Sequence, residues 1–292
     1  MSMERLQAKI RKTKNPSVLD FDMLPEHIPP HIMAEEGKFM KAYTRYCMEL
    51  MDGLRGIIPA VKFNFGGMAL EGTEGLVALS ALLDYAHNRG FYVLLEAPDA
   101  LTAQRAGANA DAIFSQDNRW PCDGVVVSSY IGSDGIKPYA AKLEDYDKTL
   151  FVVVRSANRS AMELQDLLIG GRHVFEAKSD IVNRYKNAQP AKNSYDRVAL
   201  VGPASSAAIL QKIRQKYKNL FIMVDGYDYP NSNAKNCAEA ADQLGHGVIV
   251  TAGTSITAAW LIEDNDGTEF MADALEASER MKKNLTRYFT VL

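Results

Sequence analysis

The sequence predicts an α/β fold, a (β/α)8 TIM barrel, and three observations carry that expectation. Short apolar runs recur along the whole chain. Several of them, such as FYVLLEA, LFVVVRSA and GVIVTAG, are apolar almost without alternation, and helical patterns follow most of them. A run without alternation belongs to a parallel strand covered on both faces, since a half-exposed strand would alternate. Strands and helices alternating at this spacing make βαβ units with right-handed crossovers. The eight runs are Ser17–Asp22, Ile57–Phe65, Phe91–Ala97, Gly124–Tyr130, Leu150–Ala157, Val198–Pro203, Leu220–Gly226 and Gly247–Ala252. Eight such units close a barrel more naturally than an open doubly wound sheet, which is the rival architecture.

The helical segments follow in order. Met3–Arg11 sets Met3, Leu6 and Ile10 on one face, so residues 1–15 are expected to form an N-terminal helix covering one end of the barrel. Gly75–Asn88 carries apolar residues at i, i+3, i+4 and i+7 and stops at Arg89-Gly90. Ser205–Tyr217 opens on a serine suited to an N-cap and ends in basic residues that suit the negative end of a helix dipole. Lys235–Leu244 stops at Gly245, and Glu269–Phe289 is long, amphipathic and last. With no internal repeat, low-complexity tract or linker, residues 1–292 read as one domain.

Composition excludes several function classes. At 292 residues, 47% hydrophobic and 24% charged, the chain has ordinary globular proportions and can bury a core without staples. A net charge of −3 gives no field that favours nucleic acid or an anionic membrane. The basic stretch Arg5, Lys9, Arg11, Lys12 and Lys14 has no interleaved aromatics and reads as a solvated helix face. Cys47, Cys122 and Cys237 are odd in number and far apart, with no CxxC pair, so unpaired thiols in a reducing compartment are expected and no metal. The five histidines show no ligand spacing. The charged N-terminus lacks an apolar signal core and no run nears the ~20 residues of a membrane helix, so a cytoplasmic protein is expected. No cofactor is implied.

In a barrel, chemistry sits at the C-terminal ends of the strands. Here those ends hold Asp20 and Asp22, Lys62 and Asn64, Glu96 and Asp99, Ser128–Tyr130, Arg155–Asn158, Gly202–Ser206, Asp225–Asp228 and Thr251–Ser255. Several of them, taken in order, resemble orotidine 5′-phosphate decarboxylase, in its longer bacterial type with an N-terminal helix. NPSVLD at residues 15–20 resembles the family's first strand, and VKFN at 61–64 its second-strand VKP segment. VVSSYIGSDGIKP at 126–138 is similar to the fourth-strand TVxPYLGxDxxxP segment, and LFVVVRSAN at 150–158 with ELQD at 163–166 to the fifth-strand LVRTSN…ELQD stretch. The likeness runs from about Met3 to the last helix and implies a homodimer acting on a nucleotide or related phosphorylated small molecule in pyrimidine biosynthesis.

The same resemblance implies losses. The family's third strand ends in DxKxxD, whose lysine protonates the carbon that loses carbon dioxide and whose aspartates set the charge array around a developing carbanion. Here that stretch reads Glu96-Ala97-Pro98-Asp99-Ala100-Leu101, with Pro98 at the lysine position and Leu101 at the second aspartate. Ala157 stands where the resemblance implies a serine against the pyrimidine, although Asn158 is kept. Val224–Tyr229 replaces the PGxGxQGG phosphate loop, and Thr251–Ile256 holds no arginine to clamp a phosphate. Asp225 and Asp228 then stand where a dianion would sit, an unfavourable Coulomb arrangement.

Candidate site residues follow from both readings. Lys62, Glu96 and Asp99 are the catalytic candidates, with Asp20, Asn158, Ser128, Thr254 and Ser255 for ligand binding. Three of these readings have a structural alternative: Lys62–Glu96 as a salt bridge between strand ends, Asp20 as a turn or cap residue, and Thr251–Ser255 as a helix N-cap rather than a phosphate cradle. Arg155 either meets an anionic ligand or makes a structural ion pair. The functional expectation is a catalytically impaired barrel of this family. The alternatives are an active decarboxylase with a rearranged site around Lys62, Glu96 and Asp99, and a non-catalytic scaffold or regulatory dimer.

Overall fold

The computed structural model describes residues 1–289 apart from 23, 118 and 187–194. Eight parallel strands close into a barrel: β1 (Ser17–Phe21), β2 (Ala60–Asn64), β3 (Tyr92–Glu96), β4 (Gly124–Ser128), β5 (Thr149–Val153), β6 (Val198–Pro203), β7 (Phe221–Asp225) and β8 (Val248–Ala252). Each pairs with its neighbours in sequence, and β8 returns to β1 through Ser17↔Val250. The strands lie within the expected runs, with β5 starting one residue earlier.

Both faces of the sheet are buried, which explains runs that do not alternate in the sequence. Val18, Ala60, Tyr92, Leu94, Val126, Phe151, Phe221 and Ile249 point inward and form the interior cluster. Leu19, Val61, Val93, Leu95, Val125 and Ile222 take the opposite phase and pack under the surrounding helices. The N-terminal helix α1 (Ser2–Thr13) closes the bottom: Met3, Leu6 and Ile10 belong to the interior cluster and are at most 8% exposed. It is fixed there by the Ser2 hydroxyl, which lies 2.8 Å from Tyr92 Oη and donates to the Asp123 carbonyl at 2.9 Å. Arg5 adds an ion pair to Asp123 at 3.0 Å.

Helices α2 (Phe39–Leu54), α3 (Gly72–Asn88), α4 (Ala103–Ile113), α5 (Ser133–Ala140), α6 (Val174–Asn183), α7 (Ala207–Lys216) and α8 (Phe270–Thr286) surround the sheet. Four details differ from the expectations. A short helix Pro30–Glu36 and then α2 fill the β1–β2 connection, and α2 buries Met40, Tyr43, Cys47, Leu50 and Leu54 at helical spacing. The cap of α7 is Ser206, one residue later than expected, with its hydroxyl accepting from Ile209 N at 3.4 Å. The helix expected over 235–244 is Ala234–Ala238 only. Past it, Asp242 accepts from Leu244 N at 2.8 Å and His246 N at 2.9 Å, and that side-chain turn replaces further helical bonds. Finally, a two-strand hairpin, Leu168–Ile169 with Arg172–His173, follows β5, turning on Gly170 and Gly171 at φ 59° and 79°.

Candidate active site

The alternation that fills the barrel also assembles the site. Moving up the inward phase, Val18 is followed by Asp20, Ala60 by Lys62 and Asn64, Leu94 by Glu96, and Met223 by Asp225. Register places Asp20 beside Lys62 and Asn64 beside Glu96. Lys62 is 7% exposed, and its Nζ lies 2.8 Å from Asp20 Oδ2, 3.1 Å from Glu96 Oε2 and 3.9 Å from Asp225 Oδ1. Asn64 Nδ2 donates to Glu96 Oε1 at 2.9 Å, while Asn64 Oδ1 accepts from Gly67 N at 2.8 Å. Thr251 Oγ1 donates to Asp225 Oδ1 at 2.7 Å.

One ammonium thus serves three carboxylates, a formal charge of −2 when all are ionised. Burial opposes the Lys62 charge, but Asp20, Asp225 and Glu96 outweigh it and hold the amine protonated well above the usual lysine range. Burial raises the Asp20 carboxyl to about 7; Asp22 and Asp225 push the same way, and Lys62 opposes them. The two shifts have different leading causes: the surrounding carboxylates keep the lysine charged, whereas burial, reinforced by Asp22 and Asp225, raises the Asp20 carboxyl.

Beside the cluster lies a cavity of about 560 Å³, within the usual range of small-ligand sites. Lys62, Glu96, Asp99 and Asp225 line one part of it, and Ser128, Gln165 and Lys178 line another. The structure therefore brings together Lys62, Glu96 and Asp20 directly, with Asp99 and Ser128 on the same cavity. Asn158 does not line it; its Oδ1 accepts from Ser156 Oγ at 2.7 Å on the exposed loop after β5. Thr254 and Ser255 lie in the short helix after β8 and do not line it either. At that turn Gly253 N donates to Asp228 Oδ2 at 2.6 Å, so a carboxylate of the chain itself takes the backbone donor. Pro98 and Leu101 stay outside the cavity, with Leu101 80% exposed.

Arg155 resolves as a structural ion pair. It is 6% exposed, and its Nε and Nη2 reach the two oxygens of Asp166 at 3.2 and 2.8 Å. Gln165, from the same ELQD stretch, accepts from Ser156 N at 2.8 Å and donates to Ser156 Oγ at 2.8 Å, pinning the β5 loop. Sequence reasoning missed Asp225 as a partner of Lys62 and missed Lys178 altogether. Alternation along β7 was the available signal for Asp225. No group of His, Cys, Asp and Glu among the described residues is arranged to hold a metal, and no described helix is long and apolar enough to cross a membrane.

No model of a known protein family matches the sequence. Individual relatives do. Over 261 residues the chain is 25% identical to orotidine 5′-phosphate decarboxylase of Rhodopirellula baltica, covering 86% of each chain. Over 297 residues it is 23% identical to that of Caldicellulosiruptor bescii, covering 97% of each. Along most of its length the chain is thus similar to orotidine 5′-phosphate decarboxylases. Its barrel also matches the solved structure of orotidine 5′-monophosphate decarboxylase from Plasmodium berghei, with a TM-score of 0.78 at 14% identity over 98% of this chain and 99% of the other. Shared architecture at such identity establishes the barrel fold alone; the site residues carry any statement about chemistry.

Proposed function

We propose that this member of the orotidine 5′-phosphate decarboxylase family binds a nucleotide or a similar phosphorylated small molecule at its barrel mouth and has lost the conversion of orotidine 5′-monophosphate to UMP and carbon dioxide. The observation that carries the reading is the exit of β3. Replacing a departing carbon dioxide requires a proton donor beside the developing carbanion. By resemblance that donor's position is Pro98, which has no proton to give, and the second acidic position is Leu101, which faces solvent. Lys62 remains, but three carboxylates hold its proton. The Asp228 contact to Gly253 supports the same view, since a carboxylate there repels a phosphate placed at the end of β8.

The intact Lys62–Glu96 contact supports a second reading, an active decarboxylase using Lys62, Glu96 and Asp99 in a rearranged site. Carbon dioxide release from carboxyl-labelled orotidine 5′-monophosphate separates the two. The first reading expects no release above buffer, together with stabilisation by UMP of ~2.7 kcal/mol at about 100 times its dissociation constant. Release well above buffer would establish the second. Absence of both release and stabilisation would leave the scaffold reading.

The reading includes a cytoplasmic homodimer. Leu101, Tyr130, Leu168 and Ile169, on the loops after β3, β4 and β5, are 80, 74, 66 and 67% exposed, an apolar rim suited to a second copy of the chain. Sedimentation should return twice the monomer mass.

A further inference from the structure

We infer that Lys178 is the anion-binding group of the mouth cavity, taking the ligand's phosphate or carboxylate at the α6 wall instead of at the turn after β8. This inference rests on the ligand-binding reading above and names where the ligand's charge goes. Lys178 lies one turn into α6, directly after the glycine hairpin, and lines the cavity together with Ile169 and Val174. Among the described residues its amine makes no hydrogen bond and no ion pair. Burial alone pushes it down, to about 8, with no charged neighbour acting on it.

The rest of the barrel mouth shows why, among the described residues, this amine is available for a ligand. Lys62 is engaged by Asp20, Glu96 and Asp225. Arg155 is engaged by Asp166, and the Gly253 donor by Asp228. Of the carboxylates that line the cavity, Glu96 and Asp225 gather on Lys62, and among the described residues Lys178 has no ion-pair partner. A partly desolvated ammonium without a counter-charge is costly, and an incoming anion removes that cost while forming charge-assisted hydrogen bonds. Ionised Glu96, Asp99 and Asp225 only accept hydrogen bonds, so the rest of the ligand should offer hydroxyl or N–H donors. The ligand class is therefore a hydroxyl-bearing organic anion, of which a nucleotide or sugar phosphate is one source and a hydroxylated carboxylate the other.

Calorimetry with UMP, uridine and orotate on the wild-type protein, Lys178→Met and Lys178→Arg tests this. UMP should bind the wild type at least about tenfold more tightly than uridine; that preference should vanish in Lys178→Met and persist in Lys178→Arg. Orotate bound in a Lys178-dependent way, with UMP no better than uridine, would assign the carboxylate source. UMP binding equally well to the wild type and Lys178→Met would overturn the inference and leave the ligand-binding reading standing. Failure of all three probes to bind the wild type would overturn that reading and this one with it. A separate readout guards against misfolding. Without ligand, Lys178→Met should be at least as stable to urea as the wild type, because it removes a half-buried charge that has no ion-pair partner among the described residues; a clear loss of stability would instead mark the amine as structural.

Discussion

At the bottom of the barrel, Met3, Leu6 and Ile10 of α1 fill the interior and are at most 8% exposed. At the top, the same inward phase carries Asp20, Lys62, Glu96 and Asp225 beside an open cavity of about 560 Å³. One strand thus contributes a core residue and a site residue two positions apart: Ala60 then Lys62, Met223 then Asp225. The two ends differ in what their side chains still lack. The bottom is satisfied by its own apolar contacts and by the Ser2–Tyr92–Asp123 hydrogen bonds. The top gathers three acids on one lysine and, among the described residues, leaves a second amine, that of Lys178, without a counter-charge. A barrel can keep its fold through the first kind of end while the second kind carries its chemistry.

The sharpest way to break this contrast is to remove the cation at the top. Lys62→Met leaves Asp20, Glu96 and Asp225 facing one another, and stripping one partner from a buried ionic group costs about 3–5 kcal/mol. Glu96 and Asp225 have side chains 37% and 30% exposed, so solvent screening favours the lower end of that range. Urea unfolding at neutral pH reads the loss, and adding Asp20→Asn should restore part of it by removing the most buried acid. A Lys62→Met protein within ~0.5 kcal/mol of the wild type would show that the ammonium does not hold the mouth together.

At the bottom the corresponding change is apolar. Leu6 is fully buried, so Leu6→Ala should cost about 3 kcal/mol through lost transfer energy and the cavity left behind. It should leave UMP affinity unchanged, because α1 lies at the opposite end from the cavity. An affinity shifted by Leu6→Ala with little loss of stability would invert the assignment of the two ends.

These predictions also mark what was legible in the sequence. Strands whose two faces are both buried announce themselves as unbroken apolar runs, so FYVLLEA and GVIVTAG locate β3 and β8 closely. Helix α1 was legible because Met3, Leu6 and Ile10 share a face. Lys62, Glu96 and Asp20 could be picked as strand-end charges, but their mutual contact depends on strand register, which the pattern does not state. Asp225 was read as a residue opposing phosphate, whereas in the barrel it also approaches Lys62, across the interior from β7. Lys178 was illegible for a different reason. A lysine on an amphipathic helix ordinarily faces solvent; here Val174 and Lys178, one turn apart at the start of α6, both line the cavity, and no local periodicity states that. The helix expected to run to Leu244 stopped early because Asp242 satisfied backbone donors that a longer helix would not have needed.

The mildest perturbation is a proton. Burial raises Asp20 from an ordinary 3.8 to about 7, so between those values the folded chain holds a proton there that the unfolded chain has released. The contribution of Asp20 to stability is therefore full below pH ~4 and falls as pH rises toward 7, by at most ~1.4 kcal/mol per unit, then levels off. Asp20→Asn removes this dependence while keeping the side chain's shape. Unfolding free energies of both proteins at pH 5, 6, 7 and 8 should give a wild-type-minus-variant difference that declines from 5 to 7 and is flat above. A difference flat throughout would mean that Lys62 outweighs burial and keeps Asp20 ionised. The difference between wild type and Leu6→Ala supplies the control: a site satisfied by apolar contacts has no proton to exchange, so its cost should not vary across the same window.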